Sequence, residues 1–256
     1  MKSTREKLKE IAIGLSSLVF MWLVWFIAHK TVKNEYLIPS LQETLSSMVY
    51  LFGEAFFYRA LGKTLLKVLY SFLISFVIAG VFSFTGKVFK PLRTFLKPII
   101  SVIRTLPTMA ILVLILIYTN SSTAPIIVAT LVLFPMIYAQ MNVALDSIDQ
   151  NIIDATKVQK IGKKDWIMKV YFPMILPSVL SHTGSNLSFS VKLVISAEVM
   201  AYTFTSLGGL MQSANALMDI PRLMALTLVA VVIGLLVELI FAIINRFTFK
   251  WAKNKE

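Results

Sequence analysis

Six apolar runs, each close to the roughly 20 residues that a helix needs to cross a bilayer, alternate with short polar segments along this chain. They lie at about 11–28, 68–84, 99–118, 124–143, 179–202 and 223–244, and each predicts a transmembrane helix. The pattern implies an all-α integral membrane protein with a single domain over 1–256. Between the fourth and fifth runs the pattern changes. Residues 146–177 form a polar island carrying Asp146, Asp149, Asp154, Lys157, Lys160, Lys163, Lys164, Asp165 and Lys169. Within it Ile152, Ile153, Ala155, Val158 and Ile161 recur near a period of 3.6, which predicts short amphipathic helices outside the membrane. Pro173 and Pro177 are expected to stop the second of these and to set the angle at which the fifth span begins.

Charge then fixes an orientation. Lys2, Arg5, Lys7 and Lys9 precede the first run, and Lys87, Lys90, Arg93 and Lys97 separate the second from the third. The island carries five lysines, and Arg246, Lys250, Lys253 and Lys255 follow the last run. The intervening loops are mixed or poor in charge. By the positive-inside rule both termini and the island are cytoplasmic, in a multi-pass protein of the cell (inner) membrane. Ile11 to Ala28 is too long for an ordinary signal h-region and reads as a retained helix. The segment ETLSSMVYLFGEAFF is expected along the outer interface, and Arg59, Lys63 and Lys67 are expected to snorkel to headgroups.

Composition narrows the chemistry. The chain is 57% hydrophobic with a mean hydropathy of +0.78, too apolar for a soluble core of this size. Its net charge of +12 is spread over short loops, which suits membrane lipid as a partner and not nucleic acid. With no cysteine and two histidines, neither a disulfide, a metal site nor a histidine triad is expected, and no cofactor. GxxxxGK[ST] is absent and no nucleophile stands with a base, so the chain is expected to be non-catalytic, unable to hydrolyse ATP alone, and to take any energy from a partner.

Arg104, Lys192, Glu198 and Glu238 fall within or near spans, where a charge costs about 2.5–3.5 kcal/mol on insertion scales. Gly184, Ser188, Lys192 and Ser196 recur every four positions, with Asn186 and Ser190 beside them. Small residues alone favour helix packing, but a stripe carrying a lysine points to a watery path. Ser188, Lys192, Ser196 and Glu198 are its candidate lining. Arg104 either joins them or snorkels, and Glu238 is expected to pair with Arg246.

The island and its surroundings resemble the ABC importer permeases of the nitrate/sulfonate/taurine-type branch. Asp154-Ala155-Thr156 followed by VYFPMILP at 170–177 resembles their EAA loop, with Asp154 for the usual glutamate and Gly162 two residues beyond the usual glycine position, which is Lys160. LIPS at 37–40, ALGKTLLKVLYSF at 60–72, PLRTFLKPIISVIRTLPTMAILVLILIY at 91–118, LFPMIYAQMNVALDSID at 133–149 and SAEV…SLGGLM at 196–211 are similar to family segments in the same order. The resemblance implies an ATPase-coupling element made of Asp154, Ala155, Thr156, Val158, Ile161, Gly162 and Pro173. It also implies two ABC ATPase subunits, a second permease copy in a homodimer, an extracytoplasmic substrate-binding protein and alternating access. The alternative is a secondary transporter or a membrane scaffold. A secondary transporter is expected to show internal repeats with broken helices, and none is visible.

Overall fold

The computed structural model describes residues 4–32, 37–149, 151 and 167–248. Helix α1 (Thr4–Val32) has no buried position within its apolar window. Its far end is tied to the chain ahead of the next helix. Trp25 Nε1 donates to the Pro39 carbonyl at 3.1 Å, and His29 Nδ1 meets the Ile38 carbonyl at 2.8 Å, a contact that requires the Nδ1–H form. Helix α2 (Leu41–Gly53) starts on a capping box. Ser40 Oγ accepts from the Glu43 amide at 3.2 Å and the Glu43 carboxylate accepts from the Ser40 amide at 2.8 Å, satisfying two amides that the first turn leaves free.

Helix α3 (Ala55–Val88) is 34 residues long, about 51 Å, so it extends well beyond the expected run at 68–84. Ala60, Thr64, Ser71, Ser75, Ala79, Ser83 and Gly86 are buried at spacings of mostly three and four, giving a small-residue face that lets neighbouring backbones come close. Helices α4 (Lys90–Thr105) and α5 (Thr108–Tyr118) are bent by 97°. Leu106 between them is extended at φ −68°, ψ 130°, the conformation imposed on a residue ahead of a proline. The expected third span, 99–118, is therefore not one straight helix. With 11 residues, α5 rises only about 16 Å of the roughly 30 Å hydrocarbon core.

Helix α6 (Ala124–Asp146) lies at the centre of the bundle, with half of its apolar window buried. A π-helical turn (Ile167–Tyr171) runs directly into α7 (Phe172–Met200). Pro173 has no amide to donate to Lys169, which favours the wider winding just before it. The prolines do not stop a helix here. Pro173 stands in the first turn of α7, where a missing N–H costs nothing, and Pro177 lies inside the same helix. Helices α8 (Leu207–Ala216) and α9 (Ile220–Thr248) complete the bundle.

Among the described residues, four helices are long and apolar enough to cross a membrane, or five if α4 and α5 together count as one span. Helix α7 is long enough and buries four of its polar residues, Thr183, Asn186, Ser190 and Glu198. Ser71 and Ser190 hydroxyls lie 3.2 Å apart, Gln140 and Asn186 exchange amide hydrogen bonds at 3.2 and 2.7 Å, and Asn142 donates to Ser83 at 3.2 Å. Polar contacts between close-packed small residues thus join α3, α6 and α7. Helix α2, expected along the outer interface, packs on α9, with Leu51 fully buried. Arg222 Nη2 to Glu54 Oε2 at 2.7 Å pins the α2–α3 corner to the start of α9.

Candidate functional site: a serine-lined groove and a buried ion pair behind it

Helices α7 and α9 pack closely at Gly184, where a Cβ would stand 2.8 Å from Phe241 Cβ. Elsewhere along the pair they leave a groove of about 600 Å³. Ser185, Ser188, Lys192 and Ser196 line it from α7, at spacings of three and four that hold them on one face. Thr227, Val231, Gly234 and Glu238 line it from α9 with the same period. Lys192 is exposed on this groove and forms no hydrogen bond or ion pair among the described residues. Glu238, expected to pair with Arg246, instead accepts from Ser185 Oγ at 3.3 Å and faces the groove. Its helical register with Thr227, Val231 and Gly234 was the available signal, since four residues at spacings of three and four must share a face.

Glu198 departs from the expected lining. It is fully buried and receives Lys67 Nζ at 2.8 Å, Thr64 Oγ1 at 2.8 Å and the Gly208 amide at 3.3 Å. Thr64 Oγ1 in turn accepts from the Leu207 amide at 2.9 Å. The carboxylate is thus held by α3 and by the N-terminal amides of α8, where a negative charge is favoured. Lys67, expected to snorkel, is 6% exposed and committed to this pair. The chain reverses tightly to bring α8 here. Thr203 N donates to the Glu198 carbonyl at 3.1 Å across Tyr202, which is left-handed at φ 52°. A Cβ at Gly208 would collide with Glu198 and the Val199 backbone, and one at Gly209 with the Thr203 carbonyl.

Arg104 does not face the groove. Its Nη2 donates to the Pro135 carbonyl at 3.0 Å in a separate cavity between α4 and α6. Asp146, at the end of α6, takes Arg93 in two bonds at 3.1 and 2.6 Å and Lys87 at 3.0 Å. The start of α7 is fastened beside it. Tyr171 and Ile175 pack on Ala144, Leu145 and Ile148. Burial, with the Asp146 charge adding, holds the Tyr171 phenol above its ordinary range. Of the expected coupling residues, Asp154, Ala155, Thr156, Val158, Ile161 and Gly162 lie outside the described residues; Pro173 is the one described, at the second position of α7.

A model of the family described as binding-protein-dependent transport system inner membrane component matches residues 71–250. The taurine transport system permease protein TauC of Escherichia coli (strain K12) is 23% identical over 251 residues, covering 95% of this chain and 90% of that protein. The fold is similar to that of the MetNI methionine ABC transporter in an inward-facing conformation, with a TM-score of 0.62 at 20% identity over 74% of this chain and 94% of that one. It is similar as well to an amino acid ABC transporter with histidines, with a TM-score of 0.62 at 14% identity over 75% and 93% of the two chains. A family match over most of the chain, on a multi-pass helical fold shared with transporter subunits, leaves catalysis to an ATPase partner and cargo capture to a substrate-binding protein. The chain belongs to the binding-protein-dependent transport system inner membrane components and is a non-catalytic permease subunit of an ABC importer.

Proposed function

We propose that residues 1–256 act as one permease domain, that two copies form a symmetric homodimer with two ATPase subunits, and that their α7–α9 grooves line the translocation path by alternating access. The observation that carries this reading is Lys192, a lysine without a partner among the described residues, on a serine-lined groove. A charge at membrane depth costs about 2.5–3.5 kcal/mol unless it faces water or a counter-charge, so the groove is a wet one. A cation there suits a small organosulfonate, the class of cargo in the name of the TauC relative. Ser188 and Ser196 flank Lys192 and offer hydroxyl donors to the same anion. Lys192→Leu is expected to leave the complex assembled, with basal ATP hydrolysis near wild type, and to lower uptake about tenfold, the loss of one charge-assisted hydrogen bond. Unchanged uptake would remove the groove from the path.

The lysine asymmetry supports cytoplasmic termini and a cytoplasmic 146–177 segment. The chain has no cysteine, so single cysteines at Ser3 and Lys164 report cleanly. Both should resist membrane-impermeant thiol reagents in intact cells, and labelling of the Lys164 position from outside overturns the orientation.

A further inference from the structure

The cavity between α4 and α6, about 510 Å³, shares no residue with the α7–α9 groove. Arg93, Lys97, Ser101 and Arg104 line it from α4, and Tyr138 and Asp146 from α6. Lys90, Arg93, Lys97, Ser101 and Arg104 follow one another at spacings of three and four, so the basic residues of α4 occupy a single face. The opposite face exposes Phe95, Ile99 and Val102. Helix α4 is therefore amphipathic, and the 97° bend lays it across the direction of α5, as befits a helix in the plane of a membrane surface.

The charges in the cavity are not balanced. Its one carboxylate, Asp146, is already taken by Arg93 and by Lys87 at the rim. Lys97 is exposed and forms no hydrogen bond or ion pair among the described residues. Arg104 spends one of its five N–H donors on the Pro135 carbonyl. A second observation is independent of charge. The Tyr138 side chain is 8% exposed, lines the same cavity and leaves its hydroxyl without a hydrogen-bond partner among the described residues. Buried hydroxyls in folded proteins are normally satisfied; this one is closed off in the wall of a cavity whose free donors are those of Lys97 and Arg104.

We propose that this cavity is an oxyanion site for one phosphate group, either the headgroup of an anionic phospholipid or a free phosphate. The ligand bridges Lys97 and Arg104 of α4 to the Tyr138 side of α6. It fastens the corner from which the 146–177 segment leaves the bundle, and it is distinct from the cargo path.

The test uses the permease–ATPase complex. Native mass spectrometry of complex extracted in mild detergent reads retained phosphatidylglycerol. The complex in phosphatidylcholine nanodiscs reads the rise of its melting temperature with inorganic phosphate against chloride at matched ionic strength. At least one response is expected in the wild type. Lys97→Gln, a change at an exposed and unpaired side chain that spares the fold, should weaken it about fivefold, and Lys97→Gln with Arg104→Gln by about twentyfold or more. Lipid retention without a phosphate response assigns the headgroup; a phosphate response without lipid assigns the free ion. Absence of both responses, or either one persisting unchanged in Lys97→Gln, overturns the site.

Discussion

Glu198 and Lys67 stand 131 positions apart in sequence and 2.8 Å apart in space, with both side chains almost wholly withdrawn from solvent. Removing one member of such a pair strands the other charge, which costs about 3–5 kcal/mol, whereas replacing both with apolar side chains of similar volume is often neutral. Lys67→Met should therefore lower the melting temperature of the purified complex sharply, and Lys67→Met with Glu198→Met should recover a large part of the loss. If the double variant is as unstable as the single one, the pair is not what joins α3 to α7. At this scale the sequence pointed to the right residues but not to their roles. Charged positions in apolar runs stand out, yet pairing is a long-range fact. Lys67 sits in helical register with Arg59 and Lys63 near the start of a span, so snorkelling was the local reading, and only Glu198 at that distance along the chain overrides it.

Glycines on two helices give opposite expectations from the same substitution. Gly184 is where α7 and α9 approach, and a Cβ there meets Phe241 Cβ at 2.8 Å and lies 3.5 Å from the Glu238 carbonyl oxygen. Gly62 of α3 is exposed and a Cβ there meets nothing within 4 Å. Gly184→Ala should force the helices apart at a cost of about 1–3 kcal/mol, and Gly62→Ala should stabilise α3 by about 0.5–1 kcal/mol through lost backbone freedom in the unfolded chain. Thermal melts of the two variants should shift in opposite directions, and a shift of the same sign fails this account of the α7–α9 contact. Element boundaries were less legible than element order. The apolar run at 99–118 ignores Pro107, whose effect on Leu106 breaks the helix into α4 and α5. Ser40 with Glu43 announces α2 by its capping box, a signal that hydropathy alone passes over. Helix α7 shows two polar faces where the sequence offered one stripe, since Thr183, Asn186, Ser190 and Glu198 are buried while Ser185, Ser188, Lys192 and Ser196 face the groove.

At the scale of the whole molecule the order of segments along the chain, more than any one residue, carries the family. The described residues show how rigid the frame of helices is on both sides of the 146–177 segment. Asp146 closes α6 in a triple contact with Arg93 and Lys87, and Tyr171 and Ile175 hold the start of α7 against Leu145 and Ile148. A push delivered between these points would pass into α7, and along it to the Lys192 groove and to the buried Glu198. Ala155, Val158 and Ile161 lie outside the described residues, recur in the sequence near a helical period, and are proposed to dock in the ATPase cleft. Burying an aliphatic side chain is worth about 1.5–3 kcal/mol, and placing a carboxylate in the same contact costs at least as much. Val158→Glu should thus release the ATPase or uncouple its hydrolysis from uptake, while membrane insertion stays normal because the change lies outside every helix that could cross the bilayer. Co-purification with the ATPase and cargo-stimulated hydrolysis are the readouts. If both match wild type, the segment does not couple the two subunits, and the rigid corner at Asp146 serves the fold alone.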